Sequence, residues 1–207
     1  MYKISDEQYA NVRAWVHEYI DRICIVRDTS MPGKKPGTKY SWMFYLRRGL
    51  FDKKFINAIS QMFIYKIERE VGVEFDFQLS GMETAATPML VGIPLIASVY
   101  DIDINSFVVR KEQKEYGLCN WLEGVPNSKK VLLIDDLCNS GISMGRAYNI
   151  LSNMGVEFVP YAFSIVNKSN VEVHTQQRLN SDMYLPPEFK MVSLFTLDDF
   201  NLTSPSH

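Results

Sequence analysis

Apolar side chains recur every three or four residues near the start of the chain, at Tyr9, Val12, Val16, Tyr19, Ile20 and Ile23. This spacing places them on one face of a helix. Ser5 and Gln8 have the spacing of a capping box, in which each side chain binds the other residue's backbone N–H. The pattern predicts a helix from about Asp6 to Cys24.

The next segments alternate between loop, strand and helix signals. Asp28–Thr38 contains two prolines and two glycines and predicts a loop. Tyr40–Tyr45 is rich in aromatic residues and predicts a strand. Asp52 is predicted to cap a second helix, which ends at Gly72.

From position 75 onward, strand and helix patterns follow one another. The predicted strands are Phe75–Leu79, Ser106–Val109, Val131–Ile134 and Phe158–Val166, and the predicted helices begin at Thr87 and Ser143. Val131–Ile134 is uniformly apolar, which is typical of a strand buried on both faces. Strands alternating with helices indicate an α/β fold with a mostly parallel, twisted sheet flanked by helices. We expect one domain over 1–207, in which 1–50 form a small amino-terminal piece containing the first helix and a loop.

Composition narrows the class of protein. The chain has 207 residues, 46% of them hydrophobic, and a formal net charge of −2, which gives no electrostatic case for nucleic acid or an anionic membrane. Met1–Gln8 lacks a signal-peptide pattern, and no apolar run approaches the ~20 residues that span a bilayer. The three cysteines are far apart and form no C-x-x-C, which argues against a disulfide framework. We therefore expect a cytoplasmic globular protein.

The segment Lys129–Ser143 combines a buried strand, two carboxylates at its end, a turn of small polar residues and a helix. In open α/β sheets, ligands bind beyond the carboxyl ends of the strands. Backbone N–H groups of a turn that leads into a helix form a binding site for phosphate. Gly141 allows a close approach of the backbone. The predicted phosphate-binding residues are Asn139, Ser140, Gly141, Ile142 and Ser143.

Two carboxylates beside a phosphate fit a ligand that also carries hydroxyl groups and develops positive charge. Ribose 5-phosphate has both properties. Asp135 and Asp136 can accept hydrogen bonds from its 2- and 3-hydroxyls and stabilise an oxocarbenium-like transition state. The alternative is that the two acids only cap the following turn.

This arrangement resembles the phosphoribosyl pyrophosphate (PRPP) signature of the type I phosphoribosyltransferases, and more narrowly the orotate phosphoribosyltransferases. Arg110–Gly117 resembles the cationic hood of that family, and Lys35–Lys39 resembles its amino-terminal substrate loop. Gly81–Pro88 lies where the family has a glycine-rich loop before a helix. Val192–Phe200 resembles its closing strand and short helix.

The resemblance implies transfer of 5-phosphoribosyl from PRPP to a nucleobase nitrogen, with orotate as the first-choice acceptor. It also implies Mg²⁺ carried by PRPP without a direct protein ligand (Asp135 or Asp136 could contact it through water) and a homodimer with shared active sites. The implied catalytic residues are Asp135, Asp136 and Lys114. Arg110 and Lys111 are assigned to PRPP together with the turn, and Lys35, Phe44, Tyr45 and Lys168 to the base.

The chain departs from the family pattern at four positions. Tyr116 replaces the hood histidine, Glu83 lies where a lysine is common, Lys168 replaces an arginine that contacts orotate, and Asn139 replaces a threonine. A lysine cannot reproduce the planar fork of an arginine. Three alternatives stay open: a non-orotate acceptor, a PRPP- or nucleotide-sensing module without turnover, and a partner-binding module with exposed Trp42 and Trp121.

Overall fold

A computed structural model of the chain describes residues 4–32, 39–72, 74–113, 120–168 and 184–202. Three residues that the sequence singled out, Lys35, Lys114 and Tyr116, lie outside these ranges. Among the residues that the structure describes, no helix combines the length and apolar character needed to span a bilayer.

The described part of the chain forms five α-helices and eight strands. The helices are α1 (Asp6–Tyr19), α2 (Arg47–Leu50), α3 (Lys53–Lys66), α4 (Thr87–Val99) and α5 (Ile142–Asn153). Single π-helical turns extend α1 over Ile20–Cys24 and α3 over Ile67–Val71, and a 3₁₀ turn covers Asp198–Phe200. The strands are β1 (Ile25–Pro32), β2 (Lys39–Phe44), β3 (Phe77–Met82), β4 (Ser106–Val109), β5 (Leu122–Glu123), β6 (Lys130–Cys138), β7 (Phe158–Asn167) and β8 (Lys190–Thr196).

The main sheet has six strands in the order β5-β4-β3-β6-β7-β8. Every pairing in it is parallel except that of β5, which runs antiparallel to β4 at one edge. This confirms the predicted α/β fold with a mostly parallel sheet. The chain moves from β3 outward to β4 on one side, and from β6 outward to β7 and β8 on the other. The carboxyl ends of β3 and β6 therefore flank a topological switch point, where open α/β sheets bind ligands.

Strand β6 is buried on both faces, as its uniform apolar sequence predicts. Leu132 and Ile134 belong to the core that also contains α3 and α4. Val131 and Leu133 belong to a second core on the other face, under α5. Because both faces are covered by helices, whatever follows β6 at its carboxyl end is held in a low-dielectric surrounding.

The amino-terminal residues share the first core with the sheet. Val16 and Ile20 of α1 and Phe44 of β2 are buried in the same cluster as Phe200 near the carboxyl end. β1 and β2 form a separate antiparallel two-stranded sheet. This shared core places the end of β2 beside the main sheet.

The capping and stop signals of the first helices are confirmed. The Ser5 hydroxyl accepts a hydrogen bond from Gln8 N at 3.1 Å, and the Gln8 side chain accepts one from Ser5 N at 2.9 Å. Asp52 Oδ1 accepts hydrogen bonds from Lys54 N at 2.8 Å and Phe55 N at 3.0 Å. Local side-chain to backbone bonds of this kind depend on neighbouring residues alone, which explains why the sequence reveals them.

Two predicted boundaries are wrong. Asp28–Pro32 was expected in a loop but lies in β1, because Met31 pairs with Tyr40 across an irregularity in the β1–β2 ladder. Ser80 and Gly81 were expected after a strand but lie within β3, paired with Phe107 and Val108 of β4. In both places, pairing with a distant strand overrides the local turn signal.

Gly81 is a position where only glycine fits the packing of the sheet. A Cβ added there would lie 2.3 Å from the carbonyl oxygen of Ile134 and 2.8 Å from Cβ of Ala86. The first contact is with the backbone of the neighbouring strand, so it cannot be relieved by a side-chain rotation. β3 and β6 therefore approach each other closely at the switch point because residue 81 has no side chain.

We expect Gly81→Ala to lower the free energy of unfolding by about 2–3 kcal/mol, the usual cost of overpacking a core. This corresponds to a fall of about 4–12 °C in Tm, measured by calorimetry. The matched control is Gly72→Ala, where φ is 61° and, apart from its chain neighbours, no atom of the described residues lies within 4 Å of the added Cβ. That change lowers the free energy of unfolding by only about 1 kcal/mol, because alanine is disfavoured in the left-handed region. Equal effects at the two positions would contradict the close strand contact.

Candidate active site

A cleft of about 410 Å³ opens at the carboxyl ends of β3 and β6. Four segments line it: the end of β2 with the start of α2, the connection after β3, the residue Lys111, and the turn from β6 into α5. The lining residues are Phe44, Tyr45, Leu46, Arg47, Met82, Glu83, Thr84, Ala85, Lys111, Asp135, Asp136, Leu137, Ile142, Ser143 and Arg146. The fold thus joins residues distant in sequence around the predicted Asp-Asp turn.

The two carboxylates lie near the end of buried strand β6. Asp135 is buried, with 8% of its surface exposed, and Asp136 is half-buried. The Asp136 N–H donates a hydrogen bond of 2.9 Å to Asp135 Oδ1. This bond fixes the orientation of the Asp135 carboxylate within the strand. The arrangement of the two carboxylates therefore does not depend on the conformation of a loop.

Burial sets the protonation of the pair. Loss of solvation raises the pKa of Asp135 well above its usual range, and the neighbouring charge of Asp136 raises it further. Loss of solvation also raises the pKa of Asp136, against the lowering effects of hydrogen bonds and of the Arg47 guanidinium. Both carboxylates are therefore poised to gain from a ligand that brings hydroxyl donors or positive charge.

The turn after β6 has the conformation that the sequence predicts for a phosphate site. Gly141 has φ 79°, in the left-handed region, and α5 begins directly after it at Ile142. The N-cap residue of α5 is Gly141, which has no side chain to cap the helix. Ile142 and Ser143 line the cleft, whereas Asn139, Ser140 and Gly141 lie beside it in the same turn. The N–H groups of the first turn of α5 point to an anion-binding role.

The two basic residues predicted to bind PRPP, Lys111 and Arg110, occupy different positions. Lys111 lines the cleft. Arg110 is not among the lining residues; its guanidinium forms an ion pair with Glu123 at 2.9 Å and donates to Glu112 O at 3.2 Å. Arg110 is therefore engaged with the β5 edge of the sheet in this structure.

Sequence reasoning missed two arginines of the cleft, Arg47 and Arg146. Arg47 begins α2, and Arg146 lies in the second turn of α5. Neither belongs to a motif, because each reaches the cleft only through the packing of its helix. The spacing of Arg146 from Gly141 was the available signal, since it places the side chain within two turns of the phosphate site.

The residues assigned to the base lie at the β2 side of the cleft. Phe44 lines the cleft but is only 5% exposed and packs edge-on against Trp42 and Phe200, so it is a core residue with one edge at the site. Tyr45 is 40% exposed, and the Arg47 guanidinium lies 5.2 Å from its ring centre.

Lys168 follows β7 at the same end of the sheet. Its ammonium nitrogen lies 4.6 Å from the ring centre of Trp42, and its backbone N–H donates to Cys138 O at 2.7 Å. It does not line the cleft. Trp42 is buried, at 7% exposure, so the expectation that it is exposed for partner binding is wrong. Trp121 is half-buried against the second core.

Comparisons with known proteins were made by sequence and by structure. No protein-family model matches the chain. Over 162 residues it is 30% identical to an orotate phosphoribosyltransferase of Corynebacterium glutamicum, a match that covers 76% of this chain and 82% of that protein. It is 30% identical over 127 residues to an orotate phosphoribosyltransferase of Rhodopirellula baltica. The chain spans about 60% of the length of that relative.

Solved structures share the fold. The orotate phosphoribosyltransferase of Mycobacterium tuberculosis in complex with Fe(III) dicitrate superposes with a TM-score of 0.72 at 21% identity, over 92% of this chain and 99% of that one. The same protein in complex with PRPP superposes with a TM-score of 0.65 at 18% identity, over 97% and 98%. At these identities the likeness establishes the type I phosphoribosyltransferase fold.

The raised pKa of Asp135 gives a prediction for stability. A carboxyl group whose pKa is raised by folding stabilises the folded state at acid pH, and this contribution is lost as pH rises through the ordinary value toward the folded pKa. We therefore expect Asp135→Asn to raise Tm at pH 7 by roughly 1–8 °C, because single stabilising substitutions commonly add about 0.5–2 kcal/mol and each kcal/mol shifts Tm by about 2–4 °C at this size. The gain should shrink toward pH 4.

The matched control for this measurement is Asp52→Asn, because asparagine caps a helix as well as aspartate does. Its Tm difference from the wild type should stay small at both pH values. A Tm of Asp135→Asn at or below that of the wild type at pH 7 would contradict the desolvation of Asp135.

Proposed function

Because the chain belongs to the orotate phosphoribosyltransferase family, we propose that it transfers the 5-phosphoribosyl group of PRPP to a ring nitrogen of orotate and releases pyrophosphate. The single observation that carries this proposal is the desolvated carboxylate pair, Asp135 and Asp136, next to the amino terminus of α5, whose N-cap residue is Gly141. One neighbourhood thus offers an anion site and a site for hydroxyls and positive charge.

In the proposed ground state, the 5-phosphate of PRPP lies on the turn Asn139–Ser143. Its oxygens accept hydrogen bonds from the N–H groups of the turn, and Gly141 permits the required backbone conformation. Asp135 and Asp136 accept hydrogen bonds from the ribose hydroxyls. Pairing with these donors recovers the solvation that both carboxylates lose on folding.

In the reaction, the bond from the anomeric carbon to the pyrophosphate oxygen breaks and a bond to the base nitrogen forms. The proton of that nitrogen passes to solvent, and pyrophosphate leaves with its electron pair. The ribose ring carries positive charge in between, which the fixed carboxylates stabilise without reorganising. Lys111, which lines the cleft, is assigned to the leaving pyrophosphate, and Lys114 and Arg110 complete this cationic arm.

Mg²⁺ is part of the proposal as the counter-ion of PRPP. The described residues contain no group of three or more His, Cys, Asp or Glu side chains able to hold a metal ion. The cleft fits a cation that keeps its waters, since Asp135 and Asp136 are acidic groups that could contact it through water. When bound, Mg²⁺ would neutralise charge on the pyrophosphate as it leaves.

The acceptor base is assigned to the β2 side of the cleft, with Lys168, just after β7, as its cation. Tyr45 offers an exposed ring for stacking, Phe44 an edge, and Lys168 a cation for the acceptor's carboxylate. Lys35 belongs to the same assignment. We also propose that the chain forms a single domain over 1–207. It acts as a cytoplasmic homodimer, in which each subunit covers the partner's site with its hood.

A sensing function without turnover is the second candidate. The observation that favours it is the carboxylate of Glu83 in the cleft, where the resemblance expects a lysine. The test is pyrophosphate release from PRPP with Mg²⁺, with orotate, with a panel of other bases and without base. Release only with orotate supports the transferase, release only with another base changes the acceptor, and PRPP binding without release supports the sensor.

We expect Asp136→Asn to reduce turnover at least about a hundredfold, the scale of losing one preorganised electrostatic group. The change is isosteric, so PRPP binding measured by calorimetry should persist. Asp52→Asn, at a residue that does not line the cleft, serves as the control with normal turnover. Near-normal turnover of Asp136→Asn would remove this carboxylate from the mechanism.

We expect Lys168→Met to raise the KM for orotate about tenfold or more, because a hydrogen bond between charged groups contributes roughly 1.5–3 kcal/mol. The KM for PRPP should stay within about twofold. Methionine keeps a long side chain but removes the charge, and with it the cation–π contact with Trp42. An unchanged KM for orotate would move the acceptor site away from Lys168.

A further inference from the structure

We infer that Glu83 and Arg146 are positioning residues that clamp the main chain of Lys111 over the cleft. Glu83 Oε1 accepts a hydrogen bond from Lys111 N at 2.9 Å. The Arg146 guanidinium donates a hydrogen bond to Lys111 O. A carboxylate thus holds the N–H of residue 111, and a cation holds its carbonyl. The clamp itself does not depend on the proposed function. Only the role of the Lys111 ammonium group toward substrate rests on it.

The clamp joins three separate parts of the fold. Glu83 follows β3, and its own backbone N–H donates to Val109 O at 2.8 Å. Arg146 lies in α5, the helix that begins at the phosphate turn. Lys111 follows β4 and the residue Arg110, whose backbone N–H donates to Trp121 O at 2.8 Å. Lys111 is therefore fixed relative to both the switch point and the phosphate turn.

The clamp uses only main-chain atoms of Lys111. Its ammonium group is not part of either bond, and the residue lines the same cleft as Asp135. The Lys111 charge also acts to lower the pKa of Asp135, which places it within electrostatic reach of the carboxylate. Hydrogen bonds to charged groups are about twice as strong as neutral ones, so two of them can hold an exposed residue in place.

This geometry gives a role to the unusual Glu83. As a phosphate ligand it would repel PRPP, but as an acceptor for Lys111 N–H its charge is directed at the backbone. Arg146, which donates to the same residue, supplies a positive charge that offsets Glu83 within the cleft. The two side chains therefore act as a complementary pair, and their joint presence places one cation, Lys111, beside the leaving group.

The first test uses the free protein and needs no turnover. Trypsin cleaves after lysine, so the rate of cleavage after Lys111, followed by mass spectrometry, reports how firmly this residue is held. We expect Glu83→Ala and Arg146→Ala each to raise the rate about tenfold, the factor for losing one hydrogen bond to a charged group. Glu83→Gln should leave the rate within about twofold, because its amide oxygen still accepts.

The second test uses kinetics. Glu83→Ala should lower kcat about tenfold while the KM for PRPP stays within about twofold, because Lys111 acts on the departing pyrophosphate. Glu83→Gln should retain normal kcat. The double variant Glu83→Ala with Arg146→Ala should lose less than the product of the single losses, because both act on one residue. The matched controls are Glu70→Ala and Arg22→Ala, which each remove an exposed ion pair elsewhere.

Three results would overturn the inference. Unchanged cleavage after Lys111 in Glu83→Ala would show that Glu83 does not hold this residue. Equal losses of kcat in Glu83→Gln and Glu83→Ala would show that the charge matters and the hydrogen bond does not. A raised KM for PRPP in Arg146→Ala with normal cleavage would make Arg146 a direct phosphate ligand. If the wild type shows no transfer, the proposed function fails, while the cleavage test still decides the clamp.

Discussion

The desolvation of two adjacent carboxylates at the end of a buried strand is the constraint on which the site depends. Strand β6 is covered on both faces, so Asp135 leaves water as soon as the sheet and its helices pack. A desolvated carboxylate persists in a fold only where partners or function offset its penalty. In this chain the desolvation penalty of Asp135 is offset by one backbone hydrogen bond and by nearby cations. In the proposed complex, the hydroxyls of ribose offset it further.

Acidic and basic side chains line the cleft in equal numbers. Its lining contains three acidic residues, Glu83, Asp135 and Asp136, and three basic ones, Arg47, Lys111 and Arg146. The proposed ligand PRPP is strongly anionic, so its binding would require cations beyond this set, such as the proposed Mg²⁺ and hood lysines. The equal numbers also explain why a glutamate is tolerated here, since Arg146 offsets it at the same residue, Lys111.

The parts that the sequence predicts are those specified by neighbouring residues. The apolar run of β6, the two acids and Gly141 are contiguous, and their conformation follows from burial and from the left-handed turn. Arg47 and Arg146 escape sequence reasoning because only the packing of α2 and α5 brings them to the cleft. β1 escapes it because its proline and glycine neighbours signal a loop, whereas pairing with β2 decides the structure.

Two departures from the family pattern, Glu83 and Lys168, lie outside the Asp135–Gly141 segment, whereas Asn139 lies within its turn. Asp135, Asp136 and the turn through Gly141 form on the sheet itself, where Gly81 lets β3 and β6 approach closely. Glu83 and Lys168 lie on the segments that follow β3 and β7, where a substitution would alter the proposed contacts with pyrophosphate or base without moving the strands. In the proposed reaction, the carboxylate pair that acts at the anomeric carbon therefore matches the family pattern, and the substitutions bear on the acceptor and on the departure of pyrophosphate.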